Sequence, residues 1–209
     1  MKGYIIRYKN KMMRLKKYWL EVIFGVVVTV VLYFTATNAL YWAGHVQIDY
    51  GKKLKQSNIK ITSTQMADYL KEIQEIQNAT TVIVVKDIQG YCLNQDIVDE
   101  LENMGFDQAD ILLEETYHSF IGIVNDGEVV YQRIGGDEHI SFGGFVDKHY
   151  VYAVSATHSA GNTGEVYVDD ISYAVNNRGF NIVTFSNEDD ILYDSVAYDT
   201  YLEEIPICR

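Results

Sequence analysis

The sequence predicts an α+β fold: a β-sandwich-like, antiparallel-rich sheet core with two flanking helices, carried behind one N-terminal transmembrane helix. Three observations predict it. From Tyr150 to Thr200, short apolar and β-branched runs recur between tight turns rich in Gly, Asn and Asp, the rhythm of antiparallel sheet. Ahead of them, two stretches with apolar residues at helical spacing flank one unbroken β-branched run. Ahead of both, a long apolar stretch separates a basic tail from a strongly acidic remainder.

The chain has 209 residues, 48% of them hydrophobic, enough for one core together with a membrane segment. A single Pro and 15 Gly exclude a disordered linker protein. Seven of the 17 basic residues (Lys2, Arg7, Lys9, Lys11, Arg14, Lys16 and Lys17) precede Tyr18. From His45 onward 28 acidic residues stand against 10 basic ones, a balance of −18. A surface that acidic repels nucleic acid, which is excluded as a partner.

Residues 1–17 read as a basic cytoplasmic tail and 18–43 as a transmembrane signal anchor. A helix from Trp19 to Trp42 is about 36 Å long, against a hydrocarbon core of about 30 Å. Its ends carry the only two Trp residues, joined by Tyr18 and Tyr41, where amphipathic rings favour an interface. A cleaved signal peptide has a shorter apolar region and a small-x-small site, which "TATNAL" matches poorly. A helix buried in a soluble core would not need aromatic ends beside a basic cluster. The expectation is a single-pass protein of the cell membrane, with its N-terminus cytoplasmic and its C-terminal domain outside. The membrane itself is the first expected partner, through the Trp19 to Trp42 helix.

Residues 44–63 read as a juxtamembrane stalk, with an edge strand as the alternative. A first helix follows, where Thr62 and Gln65 suit a capping box and Met66, Tyr69, Leu70, Ile73 and Ile76 share one face. "TTVIVVK" has no polar alternation and fits a strand covered on both faces. Asn94 suits the N-cap of a second helix with Ile97, Val98, Leu101 and Met104 inward and Gly105 as its stop. Asn125-Asp126-Gly127 between two apolar runs marks a hairpin. The pairs Gly135-Gly136 and Gly143-Gly144 mark a flexible crossing, after which "YVYAVSA", "EVYV", "ISYAV", "FNIVTFS" and "ILYDSVAYDT" read as strands. "NNRG", residues 176–179, reverses the chain, with Phe180, Ile182 and Thr184 facing one way and Asn181, Val183 and Phe185 the other.

The stretch from Gly164 to Tyr201 resembles the opening half of the interleukin-like EMT inducer domain family, also called the GG-type lectin domain. The shared pattern is a short hairpin, Arg-Gly before an alternating "N-I-V" strand, an acidic turn and an Asp-Thr close. Arg178, Gly179, Asn181, Asp199 and Thr200 stand at those positions. The family's second half resembles "MADYLKEI", "TTVIVVKD", "IVDELENMG" and "SFIGIV", which here come first. The resemblance therefore implies a circularly permuted domain over residues 64–209, with Tyr201 returning close to Thr64. Two partial copies of a once longer tandem are the alternative.

The family's domain is not an enzyme, and its lectin members hold a β-linked N-acetylglucosamine-type sugar. The resemblance implies a sugar-binding Asp at Asp87 and places the family's sugar-binding Arg at or near Glu115, where no guanidinium stands. Asp87, Glu115 and Tyr117 are the candidate ligand-binding residues, with Tyr117 or Tyr91 as the stacking ring. The competing reading leaves Glu114 and Glu115 solvated and Tyr117 packed. Arg178 reads as structural, paired with Asp169, Asp170 or Asp199.

Nothing else in the sequence suggests catalysis, a cofactor or a metal. His118, His139, His149 and His158 are scattered, and "VDD" and "NEDDI" lack calcium-loop spacing. His158 and Ser159 are adjacent, so in a strand they point to opposite faces and make no nucleophile-base pair. Cys92 and Cys208 are the whole thiol inventory, and spacing leaves their pairing open. The expected function is a non-catalytic, extracytoplasmic recognition module for glycans. The alternative is a structural or protein-interaction accessory subunit of a membrane or envelope-polysaccharide assembly, with an envelope protein as partner.

Overall fold

A computed structural model describes residues 53–202 and 206–208, with Val28 alone ahead of them. The expected tail 1–17, the anchor 18–43 apart from that one residue, and the first part of the stalk lie outside the described residues. Among the described residues no helix is long and apolar enough to cross a membrane.

In chain order the elements are β1 (Lys55–Gln56), α1 (Met66–Gln74), β2 (Ala79–Lys86), β3 (Ile88–Gln89), α2 (Gln95–Asn103), β4 (Tyr117–Asn125), β5 (Glu128–Gly135), β6 (His139–Val146), β7 (His149–Ala156), β8 (Gly164–Val168), β9 (Ile171–Ser172), β10 (Gly179–Ser186), β11 (Ile191–Tyr198) and β12 (Pro206–Cys208). Short 3-10 turns at Gly90–Cys92 and Ala109–Leu113 flank α2. The result is α+β, with two helices on a curled, mixed sheet.

The sheet has two leaves. In the inner leaf β11, β10, β2, β4 and β5 run antiparallel side by side, and β1 joins the edge parallel to β11. In the outer leaf β6, β7, β8 and β9 are antiparallel neighbours. The leaves meet where Lys86 pairs with Ala156 in parallel.

Side-chain alternation explains why three layers form. Ile83 and Val85 of β2 and Phe180 and Ile182 of β10 face the helices, where Tyr69, Leu70, Ile97 and Leu101 meet them. Val82, Val84, Val183 and Phe185 face the outer leaf and pack on Val151, Ala153, Val166 and Val168. The whole of β2 except Lys86 is buried, as its unbroken apolar run predicts. Each such aliphatic side chain contributes roughly 1.5–3 kcal/mol of transfer free energy.

Several local expectations hold. The Asn94 side chain accepts from the Ile97 N–H at 3.0 Å and caps α2. Gly105 ends that helix at φ +94°, and Asp126 and Gly127 turn the β4–β5 hairpin at φ +49° and +80°. Others are corrected. Gln65 makes no side-chain cap on α1; the Glu72 carboxylate instead accepts from the Thr62 and Ser63 N–H groups, a stronger acceptor reaching back from inside the helix. Gly143 and Gly144 mark no crossing but lie within β6. The segment read as a stalk or an edge strand takes the second form in its described part: β1 joins the sheet beside β11, and Leu54 and Ile61 enter the core.

The end of β11 lies against the start of α1. The Tyr198 hydroxyl stands 3.5 Å from the Ser63 carbonyl, and the Tyr198 and Tyr69 rings are 5.4 Å apart.

Candidate functional site

The Asn176 to Gly179 turn sits where the inner leaf ends. Asn176 takes φ +59° and Gly179 φ +88°. A Cβ on Gly179 would stand 2.0 Å from the Tyr198 carbonyl oxygen, so the close approach of β10 to β11 requires glycine there. The buried Asn181 side chain closes the turn: its Oδ1 accepts from the Asn177 N–H at 3.0 Å and its Nδ2 donates to the Asn177 carbonyl at 2.8 Å. The Asn176 carbonyl accepts from Lys86 Nζ at 2.9 Å, which ties the turn to the end of β2.

Arg178 projects from this turn and pairs with Asp199. Its Nε donates to Asp199 Oδ1 at 3.0 Å, and its Nη2 donates to Oδ2 at 2.7 Å. Asp199 Oδ1 also accepts the Tyr201 N–H at 3.0 Å. That fold of the chain brings the Tyr201 ring under the guanidinium, 4.2 Å from ring centroid to Cζ. The bidentate hydrogen bonds to Asp199 raise the Arg178 pKa further, so it is a fixed cation. It remains 40% exposed in its side chain while Asp199 is 7% exposed, and its Nη1 lies outside the pairing. Of the acidic partners open to Arg178 in sequence, Asp199 is therefore the one used. Asp169 belongs to a buried pair with His149, at 2.6 Å.

Around this cation the structure gathers an aromatic corner. The Tyr91 ring stands edge-on to Tyr201 at 6.2 Å, and Tyr91 is 70% exposed. Burial first, then the charges of Cys92, Asp87 and Tyr91, push the Tyr201 hydroxyl above its ordinary range. The hydrogen bond with Cys92 pushes Tyr91 up as well. Both hydroxyls stay protonated and able to donate at neutral pH. Cys92 is a half-buried free thiol, and the Cys208 side chain lies outside what the structure describes.

Of the three candidate ligand-binding residues, Asp87 and Tyr117 fall near this corner. Asp87 follows β2 at φ +53°, accepts the His158 N–H at 3.1 Å, and stands close enough to Arg178 and Tyr201 for its charge to act on both. Tyr117 opens β4, 39% exposed, and acts on Tyr91. Glu115 is exposed, and the peptide just before it packs on Gly90, where a Cβ would come within 2.2 Å of the Glu114 carbonyl oxygen. A guanidinium thus stands near Asp87, supplied by Arg178 rather than from the Glu115 region, with its Nε–Nη2 edge taken by Asp199 and Nη1 outside that pair. No local pattern could have revealed this, because the Arg178 turn and Asp87 are brought side by side only by the β2–β10 pairing of Gly179 with Lys86.

No family model matches this chain, and no curated protein and no solved structure matches it. The resemblance to the interleukin-like EMT inducer domain therefore rests on the quoted residues alone.

The corner offers a carboxylate, a fixed cation with an open N–H group, tyrosine hydroxyls and one exposed ring face. That inventory matches a polyhydroxylated ring. Among the described residues no group of three His, Cys, Asp or Glu side chains gathers where it could hold a metal. Ser159 Oγ donates to Asp137 and not to His158.

Proposed function

We propose that the chain is a single-pass, membrane-anchored, extracytoplasmic recognition module that binds glycans without transforming them. The domain is a circularly permuted member of the interleukin-like EMT inducer family, and its ligand is a β-linked amino sugar of the N-acetylhexosamine type. The observation that carries this reading is the β2–β10 register, which pairs Gly179 with Lys86 and so sets the Arg178 turn next to Asp87, with the exposed Tyr91 and Tyr117 nearby. An Asp with a guanidinium is the pair that the family resemblance implies for the sugar, and the permuted half of the chain supplies its cation. The permutation is supported by the contact of Tyr198 with Ser63 and Tyr69, since joined termini must lie together. The membrane anchor is supported by the tail, the apolar stretch and its two Trp ends.

The full chain, purified in detergent and displayed to a glycan array, is expected to bind β-linked N-acetylhexosamines. Tyr91→Ala removes an exposed ring and is expected to abolish that binding while leaving the melting temperature unchanged. Asp87→Asn keeps a residue suited to positive φ and is expected to weaken it. A folded chain that binds no β-linked amino sugar overturns the proposal. A second reading, a protein-interaction subunit, is favoured by Leu202, 61% exposed next to Tyr201. Loss of co-purifying membrane protein on Leu202→Asp, with glycan binding absent from the unmutated chain, would select it.

A further inference from the structure

The outward face of the outer leaf carries a second aromatic surface. In β7, Val151 and Ala153 point inward, which turns Tyr150 and Tyr152 to the outside; in β8, Val166 and Val168 do the same for Glu165 and Tyr167. Tyr152 and Tyr167 are direct cross-strand partners with ring centroids 6.0 Å apart. On the other side of Tyr152 the register places Gly143. A Cβ there would come within 3.0 Å of the Tyr150 hydroxyl and 3.6 Å of the Tyr152 ring, so both side chains lean over the bare glycine. The three rings, with His139, Glu165 and Asp170, line an open hollow of about 580 Å³.

The charge of this hollow is one-sided. Its lining includes two carboxylates and no Lys or Arg. Glu165 is held in place by both oxygens: the Tyr167 hydroxyl donates to Oε2 at 3.0 Å, and Asn176 Nδ2 donates to Oε1 at 3.2 Å. Tyrosine faces attract the apolar face of a pyranose, and by their quadrupole they attract a cation. The fixed Glu165 carboxylate and the exposed Asp170 reject an anion and favour an ammonium group, and the surplus of acidic residues over the domain adds steering of the same sign. A neutral sugar would use the rings but would gain nothing from the charge.

We propose that this hollow binds a cationic amino-sugar chain, made of hexosamine rings that carry free ammonium groups. The site is separate from the Arg178 corner and stands whether or not the corner binds a ligand.

The test uses the full chain in detergent carrying Tyr91→Ala, which silences the corner. Isothermal titration compares a β-linked glucosamine tetramer with its fully N-acetylated counterpart. The free amine is expected to bind at least about tenfold more tightly, a gap that closes as salt is raised. Adding Tyr152→Ala removes no charge and is expected to weaken binding about tenfold. Asp170→Asn, at a position whose φ of +67° suits Asn, is expected to weaken it as well. Equal affinity for the two tetramers, or no binding of the free amine, overturns the proposal. So does undiminished binding by both variants with melting unchanged, since the acidic surface would then attract the tetramer indiscriminately.

Discussion

Replacing Gly179 by Ala tests the corner on which the candidate site is built, and Gly127 provides its control. Both glycines have positive φ, +88° and +80°. An L-residue in the left-handed region costs about 1–2 kcal/mol, so the backbone cost is shared. The surroundings differ. A Cβ on Gly127 meets nothing within 4 Å, whereas on Gly179 it stands 2.0 Å from the Tyr198 carbonyl oxygen and 3.0 Å from the Asp199 Cα. Relief requires the ends of β10 and β11 to part, which disrupts the Phe180–Tyr198 pairing and moves Asp199 away from Arg178. With about 1 kcal/mol for a backbone hydrogen bond and about 1.5 kcal/mol or more for the charged one, Gly179→Ala totals about 4 kcal/mol. Gly127→Ala totals about 1 kcal/mol. For a domain of this size 1 kcal/mol lowers the melting temperature by about 2–4 °C. Gly179→Ala should then lower it by about 10 °C and Gly127→Ala by about 3 °C. Thermal melts of the full chain followed by far-UV circular dichroism make the comparison. Equal shifts for the two variants would refute the close packing of the corner.

Two further outcomes follow from other parts of the chain. The Asp137 carboxylate accepts from Ser159 Oγ and Thr157 Oγ1, and these hydrogen bonds hold its pKa below the ordinary aspartate value. Its contribution to stability is present above that ordinary value and is lost as pH falls through the lowered one; Ser159→Ala should raise the midpoint seen by NMR titration, and an unmoved midpoint contradicts the pairing. A protease added to intact cells should digest residues 44–209 and spare only the basic tail and the anchor; a protected domain would reverse the expected topology.

Elements with a strong local period are legible in the sequence itself. The apolar faces of α1 and α2, the Asn94 cap and the Asn-Asp-Gly hairpin all depend on residues within one or two turns of each other, so their pattern survives in the string. The unbroken run of β2 announces burial on both sides for the same reason. The local devices that fail are those with a competitor: Glu72 outreaches Gln65 for the N–H groups ahead of α1, and the Gly143-Gly144 pair is drawn into β6 by its pairing with Tyr152 and Val151.

The candidate site is legible only by halves. Asp87 stands out by resemblance, Tyr117 as an aromatic ring beside it that could stack on a sugar, and Arg178 by its position before an alternating strand, but the sequence places them in separate halves of the chain. The antiparallel pairing of β2 with β10 sets the Arg178 turn beside Asp87. The outer tyrosine face is written as plain alternation in "YVYAV" and "EVYV" and becomes a hollow only when register sets Tyr152 between Gly143 and Tyr167.

By itself the sequence determined the α+β class, the order and polarity of the elements and the charge of the surface, because these follow from the chemistry of neighbouring residues. The tertiary structure alone decided which carboxylate holds Arg178, which ring it covers and which strand stands beside which. Those choices are made by hydrogen-bond register and by close packing between segments far apart in the chain, and no short-range pattern encodes them.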